Sequence, residues 1–553
     1  MPSLNFKGKA LVQNFHLLVP YHELKPVKSK SLTDKVSLHD NLVVHGDNLK
    51  ALKSLLPYYH GKVNCIYIDP PYNTGNEDWA YNDNVSSPMI QEWLGKVVDR
   101  EDLTRHDKWL CMMLPRLKLL RELLTDDGVI FVSIDEVEVH RLRCLMDEVF
   151  GEENLLATFV RKRRLSTGMR DQPISPDHEY VVAYARTIGS VDLSGTQRRP
   201  EDYPFEDKKS RYRSTDLTVG MGKDLRPHQY YAITEPETRK KYRPPETRVW
   251  RFEPKTMDKE IRAGNIIWPS TGAGRMTRPR YKTRYSPDEA NQNPVSTWME
   301  GRGSVENPPE DVRVLRSGLN QEATRELREI GLEGEFAYPK PVSLLRSLID
   351  LATRKDSVVL DCFAGTGTTG HAVLAANQAD GGSRRFVLIE AGNFADEITA
   401  ERLRRVIEGV PKAKDEELRK GLGGSFSFVE VGHPMQLETL LKAEKLPSYT
   451  DLAGYIFYTS TGEDFDAGRI NRKTGFIGES AQYDVYLLYE PELDYLKNTA
   501  LTLDMARSLP RGSGKKRLVF APTKYLDSIH LDEHRIEFCQ LPFEIYKVVK
   551  RTP

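Results

Sequence analysis

Two stretches of alternating strand and helix pattern, divided by a long stretch without periodicity, constrain the fold more than any other feature of this sequence. Asn41–Asp47 is a β-branched run ending in a polar turn, Leu49, Leu52, Leu55 and Leu56 mark one helical face, and Val63–Ile68 is an apolar run of strand length. Strand, helix and strand in that order predict a βαβ unit and hence a parallel sheet. Trp109–Leu124 then reads as an apolar-striped helix, Gly128–Ile134 as a strand, residues 138–150 as a helix and Tyr180–Tyr184 as a strand. From about 190 to 330 the pattern dissolves into Pro-, Arg- and Tyr-rich sequence. It returns with the helix Pro341–Thr353, the strand Ser357–Leu360, the helix Thr369–Asn377 and the strand Arg385–Ile389. The expected arrangement is an α/β sheet that is interrupted and resumed. Its parts are an N-terminal extension (1–40), a first sheet segment (41–189), a loop-rich insert (190–333), a second sheet segment (334–410) and an α+β C-terminal domain (411–553).

At 553 residues the chain has room for about three or four domains of ordinary size. No apolar run reaches the roughly 18 residues of a membrane span, and the N-terminus has neither an uninterrupted apolar core nor a small-residue cleavage site. The expected location is the cytoplasm, with no membrane partner. Cys65, Cys111, Cys144, Cys362 and Cys539 form no CxxC pair, which argues against a zinc knuckle or a disulfide framework and for reduced thiols. Lys plus Arg and Asp plus Glu both number 80, so total charge points to no partner. Its distribution does: residues 201–300 hold 20 Lys/Arg against 15 Asp/Glu, and Arg161-Lys162-Arg163-Arg164 lies just upstream.

Chemistry is concentrated at two strand ends. Asp361-Cys-Phe-Ala-Gly-Thr-Gly-Thr-Thr-Gly370 follows an apolar strand and opens a helix, with Gly365, Gly367 and Gly370 on a GxGxxG spacing. Glycines let backbone approach a ligand closely, and the helix N-terminus offers it free N–H groups. Glu390 ends the next strand, where a carboxylate can accept from both hydroxyls of a ribose. By itself this element also suits a dinucleotide. Asp69-Pro-Pro-Tyr72 follows the strand ending at Ile68, at the carboxyl edge where parallel sheets bind ligands. Two prolines fix the backbone and remove two donors, leaving the Asp69 side chain and the Pro70 carbonyl as acceptors. An amino group on a heteroaromatic ring needs such acceptors, because two hydrogen bonds draw its nitrogen toward tetrahedral geometry and expose its lone pair. Tyr72 supplies a flat face for the ring to stack on.

These motifs, in this order, resemble those of the β group of DNA amino-methyltransferases, and most of all the modification subunit of a type III restriction-modification system. In that family the acceptor motif precedes the cofactor motif with a target-recognition domain between them, and here Asp69-Pro-Pro-Tyr72 precedes Phe363-Ala-Gly-Thr-Gly367 by almost 300 residues. The resemblance covers residues 40–185 and 335–405. It implies a circularly permuted, Rossmann-like methyltransferase fold that uses S-adenosylmethionine, with an inserted recognition domain and an α+β C-terminal domain. It implies catalytic roles for Asp69, Pro70, Pro71 and Tyr72. The cofactor's methionine end falls to Phe363, Ala364, Gly365, Thr366 and Gly367, with Asp361 and Thr368 in the same turn, its ribose to Glu390 and its adenine to Asp47. Phe336-Ala-Tyr-Pro-Lys-Pro341 matches a pocket-forming segment, with Lys340 directed at the cofactor carboxylate. The aspartate that opens the motif goes in this family with the N6 of adenine, in a base flipped out of duplex DNA; a serine there goes with the N4 of cytosine. The family needs no metal and no general base of unusual pKa. Its other implied partners are a helicase-nuclease restriction subunit, associated through the C-terminal region, and a second copy of the chain. His45, His106, His140 and His178 are accordingly expected to be packing or surface residues, and Asp83 and Asp135-Glu136 polar loop residues.

The insert interleaves aromatics with cations, as in Arg211-Tyr212-Arg213, Arg248-Val-Trp-Arg-Phe252 and the run from Arg275 to Tyr285. Arginines neutralise phosphates and read guanine edges, so Arg161, Arg163, Arg164, Arg211, Arg213, Arg275, Arg278, Arg280 and Arg284 are the expected DNA contacts. C-terminal runs such as Phe543–Val549 must bury against something, a partner or their own chain. Three readings compete with an adenine-N6 methyltransferase: cytosine-N4 methylation, a nicotinamide-dependent oxidoreductase, and a silent DNA-binding subunit. The oxidoreductase leaves the Asp-Pro-Pro-Tyr turn and the basic insert unexplained, and intact motifs count against the silent subunit.

Overall fold

Ten strands drawn from both halves of the chain form one mixed sheet in the computed structural model. The model describes residues 4–73, 104–165, 174–193, 203–271, 276–285, 294–301, 312–334, 339–434, 447–461, 463, 465–510 and 514–541. The strands are β1 (His22–Pro26), β2 (Leu42–His45), β3 (Val63–Ile68), β4 (Leu124–Ile134), β5 (Leu155–Lys162), β6 (His178–Ala185), β7 (Trp298–Met299), β8 (Val358–Asp361), β9 (Arg385–Glu390) and β10 (Ser427–Pro434). Their order is β1-β10-β2-β9-β8-β3-β4-β6-β5-β7. The six strands from β10 to β4 run parallel, with registers such as Leu360 opposite Ile66 and Ile389 opposite Val44. Their apolar residues are buried almost completely, which is why they read as continuous hydrophobic runs.

β2 and β3 are parallel and joined by α1 (Asn48–Tyr59), as the local pattern predicts. They are not neighbours, because β9 and β8 lie between them. The permuted α/β methyltransferase arrangement expected from the sequence is therefore the observed one. The helices that place the site are α2 (Arg105–Leu123), α3 (Val139–Phe150), α4 (Val342–Ala352), α5 (Thr368–Asp380) and α6 (Glu401–Glu408).

The expected segment boundaries move in three places. The N-terminal extension supplies β1, whose Leu24 faces Val431 of β10, so residues before 41 and after 411 both enter the main sheet. The larger compact unit comprises Met1–Ser194, Ser296–Pro308 and Val314–Pro553, so the insert ends earlier than residue 333. Its return is marked by β7, which pairs with β5, and by the helix Asn320–Glu329, which buries Ala323 and Leu327. The C-terminal residues carry α7 (Tyr449–Thr461) and a second sheet of β11 (Phe476–Glu479), β12 (Tyr483–Leu487), β13 (Lys516–Ala521) and β14 (Ile536–Gln540). Leu452 and Ile456 of α7 share a hydrophobic core with Leu52 and Leu56 of α1, which joins this part to the methyltransferase sheet. The run Phe543–Val549 lies outside the described residues.

The smaller unit, Gly195–Val295 with Pro309–Arg313, has its own core of Leu217, Ile233, Trp250, Met257, Ile266 and Trp268. Its largest sheet orders Ile266–Ile267, Arg280–Arg284, Arg211–Asp216 and Phe205–Glu206. Short strands and few apolar side chains explain its lack of periodicity in the sequence. Among the described residues no helix is long and apolar enough to cross a membrane, and no group of three His, Cys, Asp or Glu side chains is placed to hold a metal ion.

Candidate active site

Because β3, β8, β9 and β2 are parallel, their carboxyl ends lie on one edge of the sheet, and each ends at a residue singled out by the sequence: Asp69, Asp361, Glu390 and, after β2, Asp47. Asp69 is half-buried, and both its carboxylate oxygens accept from the Lys340 ammonium, at 2.7 and 2.6 Å. That ammonium also lies 4.9 Å from the centroid of the Tyr72 ring and 4.0 Å from Glu179 Oε1. The family resemblance directs Lys340 at a cofactor carboxylate; here it faces Asp69.

The turn after Asp69 is held from outside. Trp109 of α2 donates its indole N–H to the Pro71 carbonyl at 2.7 Å. Asn73 is in the left-handed region, at φ 58°. A short amide side chain tolerates that conformation when it finds a partner, and Asn73 Nδ2 donates to Glu138 Oε1 at 2.6 Å. His106 Nδ1 pairs with the same oxygen of the fully buried Glu138. The Tyr67 and Ser133 hydroxyls meet at 2.8 Å one strand apart. Burial first, then the Asp69 and Glu179 charges, pushes the Tyr72 hydroxyl well above its ordinary pKa, so it stays neutral.

On the other side, Gly365 and Gly367 adopt φ of 52° and 77°. A Cβ on Gly367 would lie 2.9 Å from the Thr399 carbonyl oxygen. Glu390 is buried, and its two oxygens accept from the backbone N–H of Gly365 (2.8 Å) and of Gly392 (2.7 Å). The Asp361 carboxylate accepts from Phe363 N at 3.0 Å and from the Thr369 hydroxyl. A π-helical turn, Asp396–Ala400, supports the loop through Thr399, whose hydroxyl donates to the Gly365 carbonyl. The next turn presents Arg402, fully buried, which donates to the Thr366 and Thr368 hydroxyls at 2.9 Å each. Burial lowers the Arg402 guanidinium to about 10, still charged at neutral pH. Asp47 caps α1 by accepting from Lys50 N at 3.1 Å, with the Arg116 guanidinium 3.8 Å away.

The residues that sequence reasoning missed are Glu179, Glu138, Asn73 and His106 on the acceptor side and Arg402 on the cofactor side. Glu138 and Glu179 lie just after and at the start of strands, and an acid at a strand end was the available signal. Of the segment Phe336–Pro341, positions 336–338 lie outside the described residues, as do Asp83 and Arg275.

The expected DNA contacts divide. Arg161 is fully buried, with Nε 3.3 Å from Glu179 and a hydrogen bond to Asn320, so it belongs to the site's interior and not to a phosphate surface. Arg213 is also buried, under the Tyr203 ring at 5.5 Å. Arg284 holds Asp207 in a bidentate pair at 2.7 and 2.8 Å, which keeps that carboxyl far below its usual range. Arg161 and Arg213 are corrections, because each guanidinium is buried inside the protein, whereas part-exposed Arg284 is tied up in its pair with Asp207. Arg280 bonds Ser214 at 2.7 Å, and Arg163 and Arg164 flank the Pro176 carbonyl and Asp177. Arg211 and Arg278 are exposed.

Comparison with known proteins agrees with this geometry. The family described as DNA methylase matches residues 63–401. The StyLTI Mod subunit, a type III restriction-modification enzyme of Salmonella typhimurium, is 30% identical over 467 residues, covering 78% of this chain and 66% of its own. The EcoPI Mod subunit of Escherichia phage P1 is 28% identical over 492 residues, 84% of this chain and 76% of its own. The type II methyltransferase M.KpnI of Klebsiella pneumoniae is 28% identical over 393 residues, 68% of this chain and 86% of its own. The chain thus spans just under two thirds of the StyLTI subunit's length. The family match runs from the first residue of β3 past Glu390 and so takes in both the acceptor turn and the glycine turn, and on that match this chain belongs to the N6/N4 DNA methylase family.

Proposed function

We propose that this chain transfers the methyl group of S-adenosylmethionine to the N6 amino group of an adenine rotated out of duplex DNA, in the cytoplasm, as the modification subunit of a type III restriction-modification system. The observation that carries the reading is the convergence of Asp69 and Glu390 on one sheet edge, on either side of β8 and its glycine turn. The donor set fits the cofactor. Glu390 and Asp47 offer carboxylate lone pairs for hydroxyl and amino groups, Gly365 and Gly367 leave the backbone bare, and α5 opens with no side chain capping its first N–H groups. When bound, S-adenosylmethionine supplies a methyl group on a positively charged sulfur.

Asp69 accepts a hydrogen bond from the target amino group and so turns its lone pair toward the methyl carbon. Trp109, Asn73 and Glu138 keep the turn rigid, so the acceptor is aimed before the base arrives and little ordering remains for the reaction step. Tyr72 gives the extruded ring a face to stack on, worth roughly 1–3 kcal/mol against the cost of unstacking.

Adenine is favoured by the aspartate that opens the motif, and the type III reading by the Mod relatives, whose description as subunits of a restriction-modification enzyme also supports a restriction partner. Sequencing of DNA from cells expressing the protein, with detection of modified bases, reports base, position and recognition site together. N4-methylcytosine would overturn the adenine reading, and unmodified DNA the activity. Calorimetry separates the remaining alternative: binding of S-adenosylmethionine without NAD is expected, and the reverse would make the site an oxidoreductase's. With 2-aminopurine at the target, fluorescence should rise with wild type and with Tyr72→Phe and much less with Tyr72→Ala.

A further inference from the structure

The position where the proposed mechanism puts the target amino group is already filled. The Lys340 ammonium bonds both oxygens of Asp69 and lies over the Tyr72 ring, so it covers both the acceptor and the stacking face. It is also a cation where the amino nitrogen must become cationic as the methyl group arrives. Base docking and transfer both require it to leave Asp69. A second seat lies within reach: Glu179 Oε1 is 4.0 Å from the ammonium, and Glu179 is itself buried, one residue into β6. Burial works against ionisation of Glu179, but Arg161, Lys340 and Arg163 outweigh it and hold the carboxyl below its ordinary pKa, so the seat is negatively charged. Arg161 and Lys340 balance Asp69 and Glu179, and a shift of the ammonium from one carboxylate to the other leaves the charge of the cluster unchanged.

We infer that Lys340 is a displaceable counter-ion that holds Asp69 before the target base arrives and passes to Glu179 when the base enters. Glu179 is then a positioning residue, acting through Lys340 on base entry and not on the methyl group. The backbone of Lys340 is tied to the cofactor turn, since the Thr368 hydroxyl donates to its carbonyl at 3.3 Å, so only the flexible side chain has to move. Lysine suits this role better than arginine, whose planar fork would clamp a carboxylate with two parallel bonds.

The inference rests on Asp69 as the amino acceptor, and the experiment separates the two. Methylation kinetics on duplex DNA are compared for wild type and for Lys340→Met, Lys340→Arg, Glu179→Gln, the double variant Lys340→Met with Glu179→Gln, and Asp69→Ala. Lys340→Met should lower KM for DNA, because the amino-group seat is vacated, and Lys340→Arg should raise it. Glu179→Gln should raise KM, and adding Lys340→Met should bring it back down. If Lys340→Met raises KM as Glu179→Gln does and the double variant is no better, the ammonium is a fixed structural ion and the inference fails. The Lys340 pair decides the matter by itself should Glu179→Gln not fold. Methyl transfer surviving in Asp69→Ala would instead overturn the acceptor role itself.

Discussion

The side-chain amide of Asn48 donates to the Cys362 carbonyl at 2.8 Å, across 314 positions of sequence. Arg116 Nε donates in turn to the Asn48 side-chain oxygen at 2.7 Å. This small buried network ties the start of α1 to the strand end that opens the glycine turn, and so sets one half of the site against the other. Asn48→Ala leaves a buried carbonyl and a buried guanidinium N–H without this partner. Urea unfolding should show a loss of roughly 2–4 kcal/mol, with weakened S-adenosylmethionine binding in the protein that remains folded. A loss within error would mean that the two halves are aligned by other contacts.

Asp69→Ala and Gly367→Ala should fail differently. Asp69 ends β3 and faces the acceptor side, so its removal should abolish transfer while calorimetric affinity for the cofactor persists. A methyl group on Gly367 would meet the Thr399 carbonyl at 2.9 Å in a backbone region that side chains avoid, and should weaken cofactor binding at least tenfold, about 1.4 kcal/mol. Matching defects in the two variants would refute the division of labour.

Asp361 makes stability depend on pH. Burial first, with the Asp69 and Glu390 charges adding to it against hydrogen bonds from Thr369 and Phe363, pushes its carboxyl up to about 7. The folded pKa lies above the unfolded one, so the folded state holds the extra proton between about pH 4 and about pH 7. The contribution of Asp361 is therefore fully present at the acid end of that window and is lost as pH rises through it. Asp361→Asn should shrink the difference in urea midpoint between about pH 5 and about pH 8. An undiminished difference would assign the pH dependence to other groups.

Arg211 and Arg278 are the exposed members of the expected DNA-binding set, whereas Arg284 is committed to Asp207. Replacing Arg211 and Arg278 by alanine should lower affinity and flatten the salt dependence by about 0.9 in slope for each phosphate that is no longer neutralised. Arg284→Ala should chiefly lower the melting temperature, because it leaves Asp207 short of its main partner. Binding measured over a salt series, with calorimetric melting alongside, tests both, and an unchanged slope in the double variant removes these two side chains from the interface.

Five of the six parallel strands, β2, β3, β4, β8 and β9, and both motif turns were determined by the sequence alone, because they are local; β10 was not legible as part of this sheet. Cys65–Ile68 and Phe386–Ile389 are short apolar runs that suit a strand buried on both faces, and an acid, Asp69 or Glu390, follows each. The edges were not legible: β1 and β5 have only part of their residues buried, and β7 has two residues whose pairing depends on a partner far away. Tertiary structure also decided which charges meet. Arg161 reads as part of a basic run and Glu179 as one acid among 80 acidic residues. Only the pairing of β5 with β6 places Arg161 directly opposite Glu179, and only the return of the chain at Lys340 brings its ammonium to Asp69, 271 positions away. Hydrophobic periodicity is written along the chain because neighbouring residues share one surface, whereas an ion pair depends on distances in space that no local pattern records.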